Sequence, residues 1–91
     1  MRVSEAALTG IVRRAVESVD GARLRKGRRR LGVELHDNRA RAELQLAVAY
    51  GRVLPEVSAA VQERVAGALA EMFDVEVDAV DVTVEQLERA R

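Results

Sequence analysis

The sequence predicts a small α/β domain of the α+β type, in which two helices cover one face of a three-stranded mixed sheet. Two segments have the apolar spacing of amphipathic helices, and three segments alternate apolar and polar residues with the period of two that strands require. Ninety-one residues suit one domain, so we expect the order α-β-β-α-β within a single unit, residues 1–91.

The first predicted helix spans about residues 5–19 and is followed by a turn. Ser4 is a favourable N-cap, and Glu5 places negative charge in the first turn of the helix. Asp20-Gly21 is a strong stop signal, since glycine accepts backbone angles that other residues avoid. The stripe expected to face the core consists of Leu8, Ile11, Val12, Ala15, Val16 and Val19.

Residues 22–30 are predicted to form an exposed basic loop. Six cations fall within eight residues, and like charges at this density favour a solvated, irregular chain. A loop without any ligand accounts for this composition. The functional alternatives are binding to phosphates of nucleic acid or anionic lipid, and docking to an acidic protein surface. The candidate anion- or partner-binding residues are Arg23, Arg25, Lys26, Arg28, Arg29 and Arg30.

A hairpin is predicted over about residues 31–50, with its turn at His36-Asp37-Asn38. Its second strand alternates clearly and should bury Leu44, Leu46 and Val48 on one face. Gly51 ends this strand, and Pro55 begins the next helix because its fixed φ suits the first helical position.

The second predicted helix covers about residues 55–73, with a buried stripe that includes Val57, Val61, Val65 and Leu69. Gly67 lies inside this helix at a cost of about 1 kcal/mol relative to alanine. Close approach of the helix to the sheet is the expected compensation.

The last predicted strand covers about residues 79–85, and residues 86–91 are predicted to be a polar tail with at most a frayed helical turn. Val75 and Val77 have the opposite parity to Val80 and Val82. A register shift or bulge is therefore expected near Asp78 and Ala79.

The net charge of zero conceals a strongly polarised chain. Residues 23–55 carry nine basic and three acidic side chains, a net of +6, whereas residues 56–91 carry three basic and nine acidic, a net of −6. If the two regions lie on different faces, copies can pack head to tail. If the regions fold back on each other, the charges are neutralised within one molecule.

Motifs that carry catalysis are not evident, and we expect no enzyme, no cofactor and no metal site. His36 is the single histidine, there is no cysteine, and the isolated glycines match no phosphate-binding loop. Aromatic residues make up only 2% of the chain, too few for a set of base-stacking platforms. The absence of cysteine and of a long apolar run agrees with a cytoplasmic protein.

The segment Val48-Ala49-Tyr50-Gly51-Arg52-Val53-Leu54-Pro55-Glu56-Val57, followed by Val61-Gln62 and a valine-rich last strand, resembles the alkaline shock protein family of envelope stress response proteins, also called the Gls type. The likeness extends over about Glu5 to Val84. The residues that match the family pattern, in structural roles, are Tyr50, Gly51, Pro55, Val61 and Gln62.

This resemblance implies a non-enzymatic bacterial protein that self-associates and is held at the membrane by a separate small membrane-anchored protein. The implied location is the cytoplasm, peripheral to the membrane through that partner, without direct insertion. The alternative function is a nucleic-acid or anionic-surface binder that uses the basic loop from Arg23 to Arg30.

Overall fold

The computed structural model describes residues 5–25 and 31–88, which form two helices and four strands. In chain order these are α1 (Glu5–Glu17), β1 (Ala22–Leu24), β2 (Leu31–His36), β3 (Arg39–Ala49), α2 (Leu54–Phe73) and β4 (Glu76–Glu88).

Strand β3 is the centre of the sheet. β1 and β2 pair antiparallel with consecutive stretches of one edge of β3, and β4 pairs parallel with the other edge. The predicted mixed sheet is therefore confirmed. The predicted number of three strands is wrong, because residues 22–24 form a separate short strand, β1. It pairs with β3 next to the stretch that pairs with β2.

The core lies between one face of the sheet and both helices, as the sequence predicts. Alternate residues of β3 point into it, and Leu46 and Val48 are fully buried. The helices supply the facing layer, with Val12 and Val16 from α1 and four positions from α2: Val57, Val61, Val65 and Leu69. On the opposite face of β3 the residues are exposed toward its start, at Arg39, Arg41 and Glu43.

The parallel pairing of β3 with β4 contains two register shifts. Ala40 is paired with Val77 and Arg41 with Ala79, so Asp78 is left out of the ladder, as the change of valine parity predicts. A second shift, which the sequence did not indicate, leaves out one residue between the partners of Leu46 and Ala47.

Three predicted boundaries require correction. The basic loop was expected over residues 22–30, but Ala22 and Leu24 face the core and their backbone pairs with β3, which makes this stretch a strand. β4 extends over Glu76–Glu88 rather than residues 79–85, since the 11-residue β3 offers it partners along its whole length. The predicted polar tail therefore begins in strand; residues 89–91 lie outside the described part of the chain.

Helix α2 begins and ends through backbone features. Pro55 lies in its first turn, as expected, while Val53 precedes the helix without a side-chain cap. At the other end Asp74 adopts a left-handed conformation with φ of 52°, and its N–H donates to the Ala70 carbonyl at 3.0 Å. Aspartate tolerates this conformation better than most residues, so the helix can end without a glycine.

The expected reason for Gly67 is wrong. This residue is exposed, and a Cβ added to it would meet no atom within 4 Å, so the helix does not approach the sheet there. Its cost in a helix interior is therefore not offset by any packing contact in the described part of the chain.

We expect Gly67→Ala to raise the free energy of unfolding by about 0.5–1 kcal/mol, because alanine loses less backbone entropy in a helix and fits the open space. Urea denaturation at a protein concentration where the chain is monomeric measures the change. Gly51→Ala is the matched control, since that glycine has a φ of 96° and should lose stability on the same substitution. A loss of stability at Gly67 would contradict the absence of packing around it.

Candidate interaction surfaces

The basic edge is the edge of the sheet formed by β1 and β2. The Arg25 backbone N–H donates to the Gln45 carbonyl at 2.8 Å, and Leu31 is paired with Leu44. Both ends of the segment between them are therefore held at neighbouring positions of β3. Of the six cations, Arg23 and Arg25 are the described ones, and they lie along this sheet edge.

The six basic candidates differ in what the structure describes of them. Arg23 and Arg25 are half-buried at the basic edge, and the Arg25 guanidinium donates to the Gln45 side-chain oxygen at 3.1 Å. Arg25 is therefore partly engaged within the molecule. The remaining candidates lie outside the described residues, so their predicted role stays a prediction: Lys26, Arg28, Arg29 and Arg30.

The acidic edge is the opposite edge of the sheet, formed by β4. Arg39 of β3 holds its first residues: the Arg39 guanidinium donates to both Asp78 carboxylate oxygens and to the Glu76 carboxylate at 3.0 Å. The Glu76 backbone N–H also donates to the Asn38 carbonyl at 2.8 Å. The start of β4 is thereby tied to the β2–β3 hairpin.

The Arg39–Asp78 contact changes the proton affinity of both groups. The hydrogen bond from Arg39 is the main cause that lowers the pKa of Asp78 below its usual range. The hydrogen bond to Asp78, followed by the charges of Asp78 and Glu76, raises the pKa of Arg39. Both side chains are exposed, so this pair fixes the geometry of the bulge more than it contributes to stability.

Part of the predicted charge separation is neutralised within the molecule. Arg39 and Arg41 belong to residues 23–55, the region with a net charge of +6, and both face acidic side chains of β4. The Nε atom of Arg41 lies 3.9 Å from Oδ2 of Asp81. Arg52 donates to Asp20 at 2.5 Å. These three arginines are therefore paired within the molecule, as one of the two alternatives predicts, and head-to-tail packing of copies stays a prediction.

The turn between β3 and α2 explains why the residues of the family pattern occur there. Gly51 has a φ of 96°, a conformation that side chains strongly disfavour. Tyr50 and Val53 are 68% and 56% exposed, and Leu87 of β4, whose neighbour in the ladder is Val48, is 52% exposed. These three exposed apolar residues, which follow or pair with the end of β3, are called the apolar patch below. The sequence pattern did not reveal their exposure, because each residue continues a normal strand or turn.

The valine-glutamine step of α2 joins the helix to the acidic edge. Val61 is fully buried in the core, and the Gln62 side-chain amide donates to the Val80 carbonyl at 2.9 Å. An edge strand normally leaves such backbone groups open to solvent or to another chain. Gln62 thus covers one acceptor of β4.

The described ranges do not bring a set of metal ligands together. His36 and Asp37 lie at the hairpin turn, where Nε2 of His36 is 3.7 Å from Oδ2 of Asp37. Their side chains are 93% and 89% exposed. Residues 5–25 and 31–88 contain no group of three or more histidine, cysteine, aspartate or glutamate side chains arranged to hold a metal ion.

A valley of about 800 Å³ runs between α1 and α2 on the side away from the sheet. Its walls include Ile11 and Ala15 from α1 and Ala60, Gly67 and Ala68 from α2. Charged residues stand along its rim: Arg14, Glu63, Arg64 and Glu71. The sequence pattern does not reveal this valley, because it depends on how the two helices pack against each other.

Neither α1 nor α2, the helices in the described part of the chain, is long and apolar enough to cross a lipid bilayer.

Comparison with known families, curated proteins and solved structures gives three findings. The model of the alkaline shock protein 23 family, described as having a cell envelope-related function, matches residues 1–89. No curated protein matches the sequence significantly.

Solved structures with the same arrangement come from MamM-CTD. One MamM-CTD fragment shares 17% identity and a TM-score of 0.59, with 91% of this chain and 99% of that chain aligned. A cadmium form of a MamM CTD variant shares 18% identity and a TM-score of 0.59, over 91% of this chain and 98% of that chain. At such low identity the likeness concerns the fold alone.

Proposed function

Because the chain belongs to the alkaline shock protein 23 family, whose function is cell envelope-related, we propose that it is a non-enzymatic interaction module of the envelope stress response. In this proposal the protein assembles with further copies of itself and docks to a membrane-anchored partner. It therefore works in the cytoplasm, at the membrane surface, without inserting into the bilayer.

The observation that supports self-association is that one edge of the sheet is acidic and the other is basic. β4 is 13 residues long, and within the described part of the chain it pairs only with β3. The basic edge, on the far side of β3, carries Arg23 and Arg25. The basic segment, defined as residues 26–30, connects β1 to β2 along the chain. An open edge is a template for another strand, and opposite charges give that pairing a direction.

Pairing of the acidic edge of one copy with the basic edge of the next joins two different surfaces. Such a contact is heterologous, so it continues into a filament unless the rotation between copies closes a ring. Filaments or rings at the membrane surface would suit an envelope-related role, since many weak contacts to an anchored partner add up in an assembly.

We expect assembly that grows with protein concentration and weakens as salt rises, because exposed charges are screened beyond about 8–10 Å at moderate ionic strength. Light scattering over a series of concentrations and salt strengths measures it. Reversing two charges of the basic segment, Arg28→Glu with Arg29→Glu, should abolish the assembly. The matched comparison uses single reversals, Arg28→Glu against Arg13→Glu, because Arg13 is exposed on α1 and does not line the valley between the helices.

Two outcomes would contradict the proposal. One is a strict monomer at high concentration and low salt. The other is assembly beyond a dimer that survives reversal of Arg28 and Arg29. If that reversal abolishes binding to a polyanion such as heparin while assembly is unchanged, the anionic-surface alternative replaces self-association through the sheet edges.

The apolar patch formed by Tyr50, Val53 and Leu87 is our proposed site for the membrane-anchored partner. Exposed apolar side chains are typical of docking surfaces, and these three occur toward the opposite end of β3 from the ion pairs of Arg39. Co-purification of the chain with a small membrane protein, and its loss on Tyr50→Ser, is the corresponding check.

A further inference from the structure

The valley between α1 and α2 contains an uncompensated feature at Gly67. Glycine in a helix interior is unfavourable, and here it has neither a positive φ nor a close neighbour that would require it. The backbone of α2 is bare at this point. A bare helix backbone allows a second helix to approach more closely than larger side chains permit.

Two charged residues of α2, Arg64 and Glu71, are equally far along the helix from the midpoint between Gly67 and Ala68. Arg64 lies three positions before Gly67, and Glu71 lies three positions after Ala68. Ala60, Arg64, Gly67 and Glu71 follow one another at intervals of four, three and four residues, so they share one face of the helix. Within residues 5–25 and 31–88, neither Arg64 nor Glu71 forms an ion pair.

An antiparallel copy of α2 matches this pattern. If a two-fold axis passes between Gly67 and Ala68, each residue faces the one equally far on the other side of the axis. Arg64 of each copy then meets Glu71 of the other, which gives two identical opposite-charge contacts. Self-complementarity of this kind is what a two-fold interface between identical chains requires.

We propose that this helix face is a homodimer interface, in which α2 packs antiparallel against α2 of a second copy about a two-fold axis at Gly67 and Ala68. Ile11 and Ala15 of α1 form the apolar side of the valley that receives the partner helix. Arg14 and Glu63 stand at its rim. The contact is closed, unlike the open pairing of sheet edges, and it does not rest on that pairing.

The test uses the absence of cysteine from the chain. Gly67 is next to the proposed two-fold axis, so its two copies come close together. Gly67→Cys should therefore form a disulfide-linked dimer under mild oxidation, because a disulfide joins residues whose Cα atoms are about 4.4–6.8 Å apart. Ala59→Cys is the control, since that residue is exposed on another face of α2. We expect the dimer to form at least about tenfold faster with Gly67→Cys. Equal rates for the two variants would overturn the proposal.

Charge reversal tests the antiparallel arrangement in the chain without cysteine. Arg64→Glu and Glu71→Arg alone each place like charges opposite one another at two symmetric positions, and should weaken the dimer about tenfold in sedimentation equilibrium. The double variant restores opposite pairing and should recover the original affinity. Failure of the double variant to recover it would refute the arrangement.

These measurements are separable from the test of edge pairing. A dimer that forms in the variant with Arg28→Glu and Arg29→Glu supports the helix interface even if larger assemblies are lost. Larger assemblies without a disulfide-linked dimer would leave edge pairing standing and overturn the helix interface.

Discussion

Replacing Leu46 with alanine should lower the free energy of unfolding by about 2–5 kcal/mol, the usual range for a large-to-small change in a packed core. Leu46 has no exposed surface and lies at the middle of the sheet, between Leu24 of β1 and Val84 of β4 in the ladder. Its removal leaves a cavity that strands on both sides and the helices above cannot fill. Because a domain of 91 residues has only modest stability, this loss is a large fraction of the total.

The matched control is Leu87→Ala, the same chemical change in a residue that is 52% exposed. We expect it to cost about 1 kcal/mol or less. Chemical denaturation of both variants with unchanged m-values would isolate the effect of burial. Similar losses for the two leucines would show that the assigned register of the sheet is incorrect.

Replacing Gly21 with alanine should cost about 1–2 kcal/mol, since its φ of 85° is a left-handed conformation that L side chains disfavour. A Cβ at this position would also stand 3.0 Å from Cγ and Nε of Arg52. That arginine is bound to Asp20, and the Gly21 carbonyl accepts the Ala49 N–H at 2.8 Å. The turn after α1 and the end of β3 are therefore held together at this glycine.

Comparison of Gly21→Ala with Gly51→Ala separates the two contributions. Gly51 has a similar φ of 96° but no atom within 4 Å of an added Cβ, so it reports the backbone strain alone. Gly32→Ala, in an open position of β2, should be nearly neutral. Thermal unfolding of the three variants gives the order; a Gly21 variant as stable as wild type would contradict the left-handed turn.

Local patterns predicted most of the core and one irregularity of the sheet. The period of two in β3 placed Leu44, Leu46 and Val48 correctly, because alternation is a property of the strand itself. The change of valine parity located the bulge at Asp78 for the same reason. The helical stripe of α2 was equally visible, since its four buried positions recur at the helical period.

The candidate surfaces were less predictable, because they depend on which residues meet. The basic cluster is visible in the sequence. The hydrogen bonds from Arg25 to Gln45 and from Arg39 to Asp78 could be identified only once the pairing of the strands was known. The apolar patch likewise depends on pairing, since Leu87 is 37 positions from Tyr50 along the chain. Gly67 was misjudged because propensity shows that a glycine is costly and cannot show what surrounds it.

The sequence by itself determined the helices, the central strand, the parity of the core and the absence of a recognisable catalytic motif, because these follow from periodicity and residue type within short windows. Only the tertiary structure decided that Ala22–Leu24 is a strand and that β4 continues to Glu88. Short or polar segments form strands when a neighbouring backbone offers hydrogen bonds. The tertiary structure also decided which charges are paired and where the valley opens, since both depend on distances between residues far apart in the chain.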